Sequence, residues 1–239
     1  MDLSKHQKFL IGNYAQPALE IVRGEGSWLW DSSGKKYLDF ASGIAVTNLG
    51  HSHSHWVENV QHQAAELVHC SNLFSIPQQV SLAERLVKKM GPGKVLFCNS
   101  GAEANEALIK LSRLYGNQAS RKRSKVLVAT NGFHGRTLGA LSATESLKYR
   151  QGFEPLLPGF VFCHYNNLSD FEQSIDEDTV AILVESIQGE GGLQVATNEF
   201  LTGLQILCAK HDLLFLMDEV QAGIARTGEF LGYQKSGAQ

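Results

Sequence analysis

The run Leu213–Leu214–Phe215–Leu216–Met217 ends in Asp218–Glu219–Val220–Gln221. Five consecutive apolar residues predict a buried parallel strand. A carboxylate at the tip of such a strand is costly unless something cationic meets it. In open α/β sheets, ligands sit at the carboxyl ends of the strands. Asp218 therefore reads as the partner of a cationic group on a ligand.

Three further apolar runs end in residues suited to chemistry. Val95–Cys98 is followed by Asn99–Ser100–Gly101–Ala102–Glu103–Ala104–Asn105–Glu106. Ser100 and Glu103 have the spacing of a capping box. Gly101 and Ala102 leave first-turn backbone N–H groups open to an anion such as a phosphate. Lys125–Thr130 leads into Asn131–Gly132–Phe133–His134–Gly135–Arg136–Thr137, where Phe133 can stack on a planar ring and Arg136 can clamp a carboxylate. Val180–Val184 leads into Glu185, then Ser186–Ile187–Gln188–Gly189–Glu190–Gly191–Gly192. Taken singly, these are also a capped helix, a turn with a solvated arginine and a strand-capping glutamate.

Parallel strands would gather all four loops at one sheet edge. That edge would hold an anion site, a stacking aromatic, a carboxylate clamp and an acid for a cationic nitrogen. Pyridoxal 5'-phosphate satisfies the set. A carboxylate beside its ring nitrogen keeps that nitrogen protonated, and the protonated ring stabilises a carbanion. Gln221 would donate to the ring's phenolic oxygen, and Val220 would pack on the ring face.

The elements that must position these groups alternate. Strands are expected at Val95–Cys98, Val126–Thr130, Phe160–Cys163, Val180–Glu185 and Leu213–Met217, and helices over 55–69, 77–90, 101–116, 136–147, 168–175 and 197–211. In the helix over 101–116, Ala104, Ala107, Leu108, Leu111, Leu114 and Tyr115 form the expected apolar face. Residues 19–40 read as short antiparallel strands around the turn at Asp31–Gly34, and Gly43 to Gly50 as a loop. The fold class is α/β: a mostly parallel sheet with helices on both faces, over 49–239, preceded by a small antiparallel segment over 1–48.

Composition excludes other classes. A net charge of −3, with one short basic cluster at Arg121–Lys125, argues against a nucleic-acid groove. The longest apolar runs are strand-sized, so no membrane span is expected, and the polar N-terminus lacks a signal core. The four cysteines have neither metal nor disulfide spacing, which suits a cytoplasmic protein, with Cys98 and Cys163 as small hydrophobes in strands. His51–Ser52–His53–Ser54–His55 raises a zinc site, but the segment lies between a glycine-rich loop and a helix, so no metal is expected.

The ordered motifs resemble class III pyridoxal-phosphate-dependent aminotransferases, from about Tyr14 to Gln239. Arg23–Gly26, Trp30–Asp31, Tyr37–Phe40 and Gly43–Val46 share in the resemblance. Phe133 to Thr144 is most similar to the acetylornithine and ornithine branch. The resemblance implies a fold-type-I large domain. It implies cofactor contacts from Gly101, Ala102, Phe133, Asp218, Glu219, Val220 and Gln221. It implies substrate contacts from Arg136, Glu190 and Tyr14, with Asp218 the catalytic partner of the ring nitrogen. The implied activity moves the ω-amino group of N-acetylornithine or a related diamino acid to 2-oxoglutarate, in arginine and ornithine metabolism, by a homodimer. Two prolines usual in the family are Ser54 and Ser186 here.

The Schiff-base lysine is expected beyond Gln239. Lys235 comes too early and reads as a solvated surface residue. Arg226 to Gln239 reads as a polar loop, so the chain is expected to be an N-terminal part, incomplete at its C-terminus and inactive alone. A non-catalytic binding protein of this fold and an aminomutase or racemase are the alternatives. A dinucleotide-binding fold is disfavoured, because no Gly-x-Gly-x-x-Gly opens a helix after the first strand.

Overall fold

The computed structural model describes residues 4–118 and 122–237; Arg121 of the basic cluster lies outside them. The chain divides into two compact units, Met1–Val80 and Ser81–Gln239. The boundary expected at residue 48 thus falls inside the first unit.

The first unit opens with α1 (Ser4–Phe9). Strands β1 (Ile21–Glu25), β2 (Trp28–Asp31) and β3 (Lys36–Leu38) form an antiparallel sheet in that order. The β2–β3 turn is fixed by Asp31, whose carboxylate accepts from the Ser33 and Lys35 N–H groups and from the Tyr37 hydroxyl. The expected loop after it contains a four-residue helical turn, α2 (Ser42–Ala45), followed by α3 (Ser54–Glu66). His51 is held by Asp39 at 2.7 Å. No group of three potential metal ligands occurs among the described residues.

The unit boundary falls within α4 (Pro77–Met90). Beyond it come α5 (Gly101–Gly116), β4 (Lys125–Ala129), α6 (Leu138–Ser142) and α7 (Leu147–Arg150). Next are β5 (Phe160–Cys163), α8 (Leu168–Ser174), β6 (Thr179–Glu185) and the short antiparallel pair β7 (Ile187–Gln188) and β8 (Gln194–Val195). The chain ends in α9 (Asn198–His211), β9 (Leu214–Asp218) and a 3-10 turn at Gly232–Ser236. Strands β5-β4-β6-β9 form an all-parallel sheet in that order.

Side chains alternate across this sheet, so each strand feeds two cores. Leu127, Ile182 and Val184 meet Phe171, Phe200 and Leu204 from α8 and α9 on one face. Val126, Val128 and Leu183 meet Leu108 and Tyr115 of α5 on the other. All seven residues of β6 are buried, as a central parallel strand requires. No helix of the described residues is long and apolar enough to cross a membrane.

Four expectations are corrected. Val95–Cys98 is not a strand: no strand among the described residues pairs with it, and Leu96 and Cys98 are exposed. The apolar stripe of α5 faces the core only in part, through Leu108 and Tyr115. Asn105, Ile109, Ser112 and Gly116 are buried, while Leu111 and Leu114 are exposed. Small residues win there because the helix comes too close to the chain for larger ones; a Cβ on Gly116 would collide with the Arg123 carbonyl. The helix expected over 136–147 is two short ones. It stops because Thr144 and Glu145 turn their side chains to the β4 tip, accepting the His134 and Asn131 N–H groups. The capping box is also incomplete. Ser100 accepts the Glu103 N–H at 3.2 Å, but Glu103 reaches past Ser100 to the Asn99 N–H at 2.6 Å.

Candidate active site

Strands β6 and β9 end side by side, and their register sets Glu185 opposite Asp218. Both carboxylates are buried, with exposures of 7% and 8%. Their surroundings push them in opposite directions.

Asp218 is well satisfied. Its Oδ2 accepts from Asn105 Nδ2 and pairs with His134 Nδ1, both at 2.8 Å, and its Oδ1 accepts the Val220 N–H at 3.0 Å. Burial works to raise its pKa, but the hydrogen bond and charge of His134 outweigh it and hold the carboxyl below its ordinary value. Asp218 is thus an anion at neutral pH. A carboxylate offers about four acceptor positions. Three are taken, which leaves room for one more donor.

Glu185 is the opposite case. Burial pushes its pKa up to about 7; His134 opposes the rise, and the Asp218 charge adds to it. Its Oε2 has no partner among the described residues, and neither has His134 Nε2. Both atoms crowd Gly132, where a Cβ would lie 3.0 Å from His134 Nε2 and 3.1 Å from Glu185 Oε2. With the Ala129 carbonyl oxygen at 3.1 Å from the same point, these side chains leave room only for a glycine.

Asn105 ties the arrangement together. Its amide also donates to the His134 carbonyl at 2.8 Å, so one side chain on α5 fixes the histidine loop and the acid of β9. Close backbone approach does the rest. A Cβ on Gly101 would lie 2.8 Å from Val220 Cγ1, and one on Gly135 (φ 137°) 2.8 Å from Ala102 Cβ. The start of α5 is thereby clamped between the histidine loop and the segment after β9.

These elements enclose a cavity of about 260 Å³ within the second unit. Of the residues singled out in the sequence, Gly101, Ala102, Phe133, Arg136, Asp218, Val220 and Gln221 line it. Glu219 is not among the lining residues. Its carboxylate accepts the Gly232 and Tyr233 N–H groups and anchors the 3-10 turn. Glu190 lies beside the cavity, where its Oε1 accepts from Gln221 Nε2 at 3.1 Å. Tyr14 belongs to the first unit and is exposed there. Lys235 donates to the Thr227 carbonyl at 3.0 Å on the surface.

Asn105, His134, Gly135, Glu185 and Ile187 also line the cavity and were not singled out as site residues. Asn105 carries a signal, because a poor helix former stands inside a helix of alanine, leucine and glutamate. For His134 and Glu185 the signal is adjacency to Phe133 and to a strand tip. Nothing in the sequence marks Ile187.

The start of α5 and an acid held below its ordinary pKa line one cavity at the carboxyl edge of a parallel sheet, the place where α/β proteins bind ligands. Comparison with known proteins narrows the class. The family pattern "Aminotransferase class-III" matches residues 11–239. The acetylornithine aminotransferase of Caldanaerobacter subterraneus subsp. tengcongensis is 46% identical over 98% of this chain and 60% of its own length. That of Aquifex aeolicus is 47% identical over 95% of this chain and 60% of its own. Among solved structures, the ornithine aminotransferase of Toxoplasma gondii ME49 superposes with a TM-score of 0.93 at 29% identity, covering 98% of this chain and 56% of that one. The acetylornithine aminotransferase of Elizabethkingia anophelis gives 0.83 at 33% identity, covering 99% and 57%.

The chain belongs to the class-III aminotransferase family. Class-III aminotransferases use pyridoxal phosphate. The chain spans about 60% of the length of the curated relatives it matches.

Proposed function

We propose that the complete protein is a pyridoxal-phosphate-dependent transaminase. It would move the ω-amino group of N-acetylornithine, or a related diamino acid, to 2-oxoglutarate, in arginine or ornithine metabolism. The observation that carries this reading is the buried, ionised Asp218 with one acceptor position to spare, in the same cavity as the open start of α5.

The residues present fit the cofactor. The first-turn N–H groups of Gly101 and Ala102 have no acceptor within their own helix and would hold the phosphate. Asp218 would hold a proton on the ring nitrogen, and His134 and Asn105 keep Asp218 charged and oriented. Phe133 and Val220 would pack against the ring, and Gln221 would reach its phenolic oxygen. When bound, the protonated ring supplies an electron sink for the carbanion formed at the amino-bearing carbon. Arg136 would take the substrate carboxylate with paired N–H groups. Glu190 and Tyr14 are further substrate-contact candidates on the strength of the resemblance, as is a cytoplasmic homodimer.

The test is an assay of the complete protein with N-acetylornithine and 2-oxoglutarate. Formation of glutamate and the semialdehyde supports the reading. A rearranged amino acid formed without consumption of 2-oxoglutarate would assign an aminomutase instead. Absence of turnover with bound cofactor would assign a binding protein.

A further inference from the structure

Arg136, the proposed carboxylate clamp, rests on a residue outside the cavity lining. Its guanidinium carbon lies 4.1 Å from the centroid of the Tyr149 ring and 5.4 Å from that of Phe133. Phe133 and Tyr149 meet edge to face, with centroids 5.7 Å apart and planes at 81°. Tyr149 stands on the four-residue helix α7, beside the exposed Leu147.

We propose that Tyr149 is a positioning residue for carboxylate recognition, its ring holding the Arg136 guanidinium at the cavity rim. This rests on the reading of Arg136 given above. The physical case has two parts. A ring laid against the guanidinium face leaves the in-plane N–H groups free to grip a carboxylate as a fork. An arginine already stacked has also lost most of its rotamer freedom on folding, so ligand binding need not remove it again. Both substrates of the proposed reaction carry a carboxylate, so both half-reactions depend on this contact.

The test uses the complete holoenzyme. Tyr149→Leu should raise KM for N-acetylornithine and for 2-oxoglutarate about 5- to 20-fold, with kcat changed less than about threefold. The first half-reaction with 1,4-diaminobutane, a diamine without the carboxylate, followed by cofactor absorbance in the absence of 2-oxoglutarate, should stay within about twofold. Tyr149→Phe should behave like the parent. Because the leucine variant could fail to fold, pentafluorophenylalanine at position 149 provides a second arm. It keeps the ring's shape and reverses its electrostatics, so KM should rise several-fold over Tyr149→Phe. Calorimetric binding of glutarate, a dicarboxylate that cannot react, should weaken in the same order.

Unchanged KM and glutarate affinity in both arms would overturn the proposal, as would an equal loss with 1,4-diaminobutane. Arg136→Leu separates the two readings. If it raises KM for the carboxylate substrates while the Tyr149 variants do not, only the role of Tyr149 falls. If it leaves KM unchanged, the clamp itself falls and the role of Tyr149 with it.

Discussion

The two ends of one parallel sheet treat their acids differently. At the amino end, Lys125 pairs with Asp176, and Arg123 pairs with Asp212 at 3.1 Å. Those aspartates have half-exposed side chains (48% and 51%). The Lys125 ammonium holds Asp176 below its ordinary pKa. At the carboxyl end, Glu185 and Asp218 are withdrawn from water, and Asp218 is met by an imidazole, an amide and a backbone N–H. The half-exposed aspartates at the amino end keep water on their charges and pair for little net stability. The carboxyl end bears the cost of desolvating two acids side by side. Folding does not need that arrangement; the proposed cofactor, with its cationic ring nitrogen, would give it a use.

The contrast is sharpest in Asp218→Ala. In the complete protein this change should lower kcat/KM on the order of 10²- to 10³-fold, while cofactor occupancy falls less. Steady-state kinetics beside cofactor absorbance would check it. Near-normal turnover would erase the distinction between the two ends.

Next in size is Glu185→Gln. The folded-state pKa of Glu185 is raised to about 7 from an ordinary 4.5, so the folded state binds the proton more tightly than the unfolded chain does. Stability therefore falls as pH rises through that window and levels off above it, by about 3 kcal/mol from this group alone. Glu185→Gln should flatten that slope and be the more stable protein at pH 8, as denaturant titrations at several pH values would show. Asp218 has the opposite sign. Its pKa is lowered, so its contribution is present above its unfolded pKa and is lost as pH falls through the folded value.

Asn105→Ala should cost about 1–3 kcal/mol, because it leaves the His134 carbonyl and one Asp218 contact unmet. The smallest effect belongs to the amino end. Asp212→Asn tolerates the left-handed backbone at that position (φ 55°), keeps an oxygen for the Tyr115 hydroxyl, and removes only the charge that faces Arg123. It should cost less than about 1 kcal/mol, without a change in kcat/KM. A loss as large as that of Asn105→Ala would blur the comparison from the other side.

The same contrast explains what the sequence made legible. Uninterrupted apolar runs announced β4, β5, β6 and β9, because a strand buried on both faces has no polar side to show. The tips of β4 and β9 announced Phe133, Arg136 and Asp218 as cavity-lining residues, and the start of α5 announced Gly101 and Ala102. Val95–Cys98 misled because apolar content alone does not supply a neighbour to pair with. The stripe of α5 misled in part because close approach favoured Asn105, Ser112 and Gly116 over Leu111 and Leu114. Asn105 and His134 were harder to see because their value lies in contacts across 113 and 84 positions of sequence. Tyr149 left no local pattern; its meaning comes from the ring contact with Arg136.

The central claim is that Asp218 keeps the cofactor's ring nitrogen protonated. The most direct measurement is the chemical shift of that nitrogen, in the complete protein loaded with pyridoxal phosphate carrying ¹⁵N in the ring. The account predicts a protonated nitrogen in the parent protein and an unprotonated one in Asp218→Ala at the same pH. The same shift in both would contradict it.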